Sequence, residues 1–138
     1  MPRIDIWFCR LLLLAPLVLS ACGNDRQLRS VALSPAAADA HSFPGGQVPF
    51  VATGTFSDSP SPVTLTSKDV LWCIGGSDGS CVGNINPGAT VDQTGIAQCN
   101  AGFVGTATVL AGKASSMVVM PDTGSQLKVF GSAKLTCP

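Results

Sequence analysis

Val48-Pro49-Phe50-Val51-Ala52-Thr53-Gly54-Thr55 sets the fold class. Successive side chains of an extended chain point to opposite faces, so Val48, Phe50 and Ala52 share one side while Thr53 and Thr55 lie on the other. One dry face and one wet face mark a strand of a layered sheet. The alternation recurs in both directions. Upstream, Val31 and Leu33 alternate before Pro35 and read as a first edge strand, with residues 36–40 as a helical turn that Pro44, Gly45 and Gly46 stop. Downstream, Val70, Trp72 and Ile74 face one way and Leu71 and Cys73 the other, and Ala107 and Val109 face inward between Thr106 and Thr108. Shorter candidates are residues 82–85 and 89–91, split by the turn tripeptide Asn86-Pro87-Gly88, then 96–100, 117–120, 126–130 and 133–137. The stretches 57–62 and Gly75-Gly76-Ser77-Asp78-Gly79-Ser80 are loops. Many short strands separated by turn residues predict an all-β sandwich of two antiparallel sheets, about seven to nine strands in all. Phe50, Ala52, Val70, Trp72, Ala107 and Val109 are its expected core.

Composition agrees. The chain has 138 residues, only 12 % of them charged, with no glutamate and no tyrosine. Scarce charge with abundant Gly, Ser, Thr, Val and Pro suits strands and turns and suits helices poorly.

The first residues carry Arg3 and Arg10, then an apolar run from 11 to 19, then Ser20 and Ala21 before Cys22. This is the layout of a secretory signal, and the run is too short to span a membrane, which takes about 20 apolar residues. Leu19-Ser20-Ala21-Cys22 resembles the lipobox of bacterial lipoproteins. The resemblance implies cleavage before Cys22, acylation of its thiol and anchoring to the cell envelope, where an ordinary signal with an incidental cysteine would release a soluble chain. Gly23, standing where an inner-membrane retention signal places Asp, favours the outer membrane. The expected organisation is a signal at 1–21, a polar tether at 22–30 and one domain at 31–138.

Removing residues 1–21 leaves 117, enough for one small core. In that part Arg26, Arg29, Lys68, Lys113, Lys128 and Lys134 face seven aspartates, a net charge of −1. Such a balance gives no long-range attraction for nucleic acid or anionic lipid. Beyond Cys9 in the signal and Cys22, four cysteines remain: Cys73, Cys81, Cys99 and Cys137. An even number in an exported domain reads as two disulfides, although three pairings are open. The preferred pairing joins Cys73 to Cys81 across the glycine-rich loop, and Cys99 to Cys137 to fasten the last strand. A four-cysteine zinc site is the rival, but it lacks a Cys-x-x-Cys knuckle.

Several motifs in series resemble the group 2 bacterial immunoglobulin-like domain. They are Val31-x-Leu33-x-Pro35, Gly46-Gln47-x-x-Phe50-x-Ala52-x-Gly54-x-Phe56-x-Asp58, Val70-x-Trp72, Thr90-Val91-Asp92-x-x-Gly95 and Gly105-Thr106-Ala107-Thr108-Val109. The resemblance implies a Greek-key sandwich with Trp72 as core tryptophan and the Gly105 segment beside it. The chain departs from antibody domains in having no cysteine on the Phe50–Ala52 strand.

No catalytic constellation is legible. His41 is the sole histidine, nothing in the sequence places a serine and a carboxylate around it, and the aspartates are scattered. Asp78 lies in a flexible loop, but calcium needs several carboxylates. Gly75, Gly76 and Gly79 precede no helix and form no phosphate cradle. Trp72 is in register with core residues, so a sugar platform would need Phe43, Phe56, Phe103 or Phe130. The reading is a non-catalytic, lipid-anchored module without cofactor or metal, binding an envelope or surface protein, with an edge near Met117 and Met120 as one contact. A small-ligand or glycan carrier is the alternative.

Overall fold

A computed structural model describes residues 26–81, 88–114 and 125–138. The expectations for the signal, Cys22, the strands at 82–85 and 117–120 and most of the Asn86-Pro87-Gly88 turn lie outside these residues. The described residues form ten strands: β1 (Leu28–Ser34), β2 (Ala37–Asp39), β3 (Gln47–Pro49), β4 (Val51–Phe56), β5 (Val63–Thr64), β6 (Leu71–Ile74), β7 (Ala89–Val91), β8 (Ile96–Cys99), β9 (Gly105–Ala114) and β10 (Leu127–Cys137). Helical structure among them is confined to two single 3-10 turns, Ala40–Ser42 and Pro44–Gly46.

β3 and β4 are one strand interrupted at Phe50, whose N–H leaves the ladder and donates to Gly95 O at 2.9 Å. The first half pairs with β8 and the second with β1 and β5, while β7 completes the layer beside β8. The second layer has the order β2-β10-β9-β6. The first strand serves both layers: β1 runs against β4, and past Pro35 the chain crosses so that β2 lies parallel to β10. This strand order is that of an immunoglobulin-type sandwich.

The period-two residues meet between the layers. Phe50, Ala52, Val70, Trp72, Ala107 and Val109 are all buried there, with Val31, Leu33, Val48, Ala97 and Leu135.

Three local expectations are corrected. Order begins before Val31: β1 starts at Leu28, and Arg26 and Gln27 are already hydrogen-bonded to the loop after β4, so residues 26–30 of the expected tether belong to the domain. Residues 37–39 form strand rather than helical turn, because Ala36 O accepts from Lys134 N at 3.0 Å and the edge of β10 offers the backbone a ladder that weak local preference cannot outweigh. Finally, 126–130 and 133–137 are not separate strands. β10 runs unbroken through Gly131, where a Cβ would stand 2.6 Å from Val31 O, so this glycine marks the close crossing of β1 and not a turn.

Candidate functional site

Four places in the fold gather side chains that sequence reading singled out or missed. The first surrounds Trp72, which is 4 % exposed and therefore no sugar platform. The turn from β7 to β8 closes over it. Asp92 Oδ1 accepts from Thr94 Oγ1 at 2.6 Å, Thr94 N at 2.8 Å and Ile96 N at 3.0 Å. The Thr94 hydroxyl first, and then the Ile96 amide, hold the Asp92 carboxyl below its usual range. Gly95 has φ +88°, and a Cβ there would stand 2.5 Å from Phe50 O and 2.8 Å from the Trp72 ring. Between them Gln93 uses both ends of its amide on one residue of the β6 edge: Nε2 donates to Trp72 O at 3.1 Å, and Oε1 accepts from Trp72 N at 3.4 Å. A side chain thus imitates a neighbouring strand at an edge that no other described strand pairs with.

The second place lies on the outer face of the β2-β10-β9-β6 layer. Leu110 and Leu127 are fully buried although they point away from the main core, and Leu71, Cys73, Cys81 and Phe130 pack around them. Residues 75–81 form their lid. Cys73 is bonded to Cys81, Leu127 N donates to Gly79 O at 2.9 Å, Cys81 N donates to Ser125 O at 2.8 Å, and Gly79 sits against the Phe130 ring. Asp78 is engaged inside this loop, accepting from Ser80 Oγ at 2.6 Å and Ser80 N at 3.1 Å. These bonds, hydroxyl first, lower its pKa.

The third place is an end of the sandwich. Cys99 is bonded to Cys137, which joins β8 of one layer to β10 of the other. The last strand is therefore fastened across the core and not onto its own sheet. Beside this bridge Ala40, His41, Phe43, Gly45, Gly46, Gln98, Cys99 and Pro138 line an open depression of about 290 Å³. His41 is exposed on its rim, and the nearby Asp39 carboxylate accepts from the His41 backbone N–H at 2.9 Å.

At the opposite end Arg26 reaches over the loop after β4. Its Nε donates to Asp58 O at 3.1 Å, its Nη2 donates to Pro60 O, and its guanidinium lies 3.8 Å from the centre of the Phe56 ring. Asp69 accepts from Thr66 N and Thr66 Oγ1, both at 2.8 Å, and these bonds lower its pKa.

The four phenylalanines considered for a sugar face are half-buried at separate places: Phe56 under Arg26, Phe130 on Gly79, Phe103 on Gly88, and Phe43 at the depression. Among the described residues no three His, Cys, Asp or Glu side chains come together as a metal site. Sequence reading missed Gln93, Arg26 and the outer cluster. Only the last left a trace, since Val109-Leu110 breaks the alternation of β9 and requires cover on both faces.

Among known proteins, the chain matches no family model and no curated sequence.

Proposed function

We propose that the chain is a lipid-anchored, non-catalytic envelope protein whose immunoglobulin-like domain makes protein or surface contacts. The observation that carries the reading is a small sandwich stapled by two disulfides directly behind Leu19-Ser20-Ala21-Cys22. Disulfides of this kind belong to oxidising compartments, which is where a lipobox sends a chain. Membership of the group 2 bacterial immunoglobulin-like domains is supported by the way Asp92-x-x-Gly95 meets Phe50 and Trp72, so that motifs distant in sequence form one packing unit. Binding falls to loops, edges and sheet faces, since the described charged side chains all lie outside the core. A small-ligand or glycan carrier is the second reading, favoured by the depression at His41, Phe43 and Gln98.

The test is the intact mass of protein extracted from its native membrane, before and after reduction. The expected result is a chain beginning at Cys22 with acyl mass on that residue and a gain of four hydrogens on reduction, two for each bridge. A soluble, unacylated chain would overturn the anchor. Chemical-shift mapping with oligosaccharides distinguishes the second reading by movement at residues 41–46 and 98.

A further inference from the structure

We infer that the domain stands on the membrane by the end that carries Arg26 and the loop 57–62, and that the end carrying His41 and the Cys99–Cys137 bridge is held outward. The inference rests on the lipoprotein reading and adds to it an orientation and a contact surface, the headgroup zone of the bilayer.

Covalent reach is the first argument. Four residue steps separate Cys22 from Arg26, and an extended chain covers at most about 14 Å in that distance. Arg26 is not part of a free leash, because its guanidinium is fixed on Asp58 O, Pro60 O and the Phe56 ring. Gln27 adds two further bonds, its N–H donating to Ser57 Oγ at 3.1 Å and its carbonyl accepting from Ser57 N at 2.9 Å. β10, with eleven residues, makes the sandwich about 35 Å long. The leash cannot travel that length, so the end at which Arg26 is fixed stays beside the lipid.

The second argument is the direction of the chain. The partners of Arg26 and Gln27 lie at and past the end of β4, so these first described residues lie over the cap of the sandwich and not on its flank. β1 then runs lengthwise away from that cap beside β4. The starts of β6 and β10 lie at the same end, because both pair antiparallel with β9, whose last residues face Leu71 and Leu127. Ser57, Asp58, Ser59, Pro60 and Ser61 are all exposed. Beside the small rings of Pro60 and Pro62 the loop presents hydroxyls, carbonyls and one carboxylate, with no large apolar side chain to insert, so it suits hydrated headgroups and not the hydrocarbon. What remains for a partner is the far end, where Val104 is 76 % exposed and the depression opens.

Two exposed lysines on one strand report the orientation. Lys128 lies near the start of β10, and Lys134 is six residues further on, opposite Ala37, about 20 Å away. The acylated full chain is reconstituted in phosphatidylcholine vesicles and labelled with a bulky, membrane-impermeant amine reagent. A second form carries twenty Gly/Ser residues inserted between residues 25 and 26. The expected result is Lys128 labelling at least threefold more slowly in the natural chain than in the lengthened one, with Lys134 unchanged. Equal rates in the two forms, or protection of Lys134 as strong as that of Lys128, overturn the upright seating while acyl mass on Cys22 preserves the anchor. Absence of acyl mass overturns both.

Discussion

The sandwich core and the cluster under the 75–81 loop are built differently. In the core, residues from both layers bury one another, and the Cys99–Cys137 bridge ties layers that hydrophobic contact already holds. The outer cluster has only one sheet face beneath it. Leu110 and Leu127 are buried there because a glycine-rich loop is fastened over them by Cys73–Cys81 and by three backbone hydrogen bonds, from Gly75 N to Thr108 O, from Leu127 N to Gly79 O and from Cys81 N to Ser125 O. One region is dry by layer geometry, and the other by covalent attachment of its cover.

The largest effect is expected from removing the bridge that spans the longer segment. Cys99 and Cys137 are 38 residues apart, and closing such a loop in the unfolded chain corresponds to about 4 kcal/mol. The C99S/C137S variant should lose about that much in denaturant unfolding while keeping one cooperative transition, because the sandwich core itself is intact. Separate transitions for the two layers would show that the bridge, and not packing, unites them.

Next comes Leu110→Ala. Leu110 has no exposed surface, so truncation should cost about 3 kcal/mol if its cover is as firm as a core wall. The sharper form of the experiment repeats it in a C73S/C81S background. Removing that bridge alone, with a separation of 8, should cost about 2.5 kcal/mol. If the loop lifts with it, Leu110→Ala then costs well under its original value, a coupling that a double-mutant cycle reads directly. Strict additivity would mean that the hydrogen bonds hold the lid without the disulfide.

Gln93→Ala bears on the main core from its edge. Two hydrogen bonds to the Trp72 backbone are lost at a partly solvated position, for about 1 kcal/mol. Freeing the Trp72 backbone at the β6 edge should also raise self-association, measured by sedimentation velocity.

The smallest effect is acid sensitivity. Hydrogen bonds hold Asp92, Asp69 and Asp78 below the ordinary carboxylate range in the folded chain. A depressed folded pKa stabilises above the unfolded value, near 3.9, and the contribution disappears as pH falls through the folded one. The denaturation midpoint should therefore be level from pH 7 to about 5 and decline below about 4. Asp92→Asn should flatten that decline most among the three if the turn at Trp72 matters more to the fold than the lid does.

The sheet faces were legible in the sequence because period-two alternation is a local property of one strand: Val48, Phe50, Ala52, Val70, Trp72, Ala107 and Val109 sort themselves without knowledge of a neighbour. The loop character of residues 75–80 was legible for the same reason, since glycine acts on its own backbone. The strand at residues 37–39 was not, because alanine has no strong preference and β10 supplies the pairing from about a hundred residues away. Gly131 reads as a break in isolation and is a crossing point in space.

The sequence by itself determined an all-β chain, the inward face of each main strand and the even set of four cysteines, because side-chain period, turn residues and thiol count are carried by the chain alone. Only the tertiary structure decided which cysteines meet, that Arg26 closes one end, that Gln93 covers the β6 edge and that Leu110 has a second cover. Each of these is a contact between segments whose separation along the chain says nothing about their distance once two layers have packed.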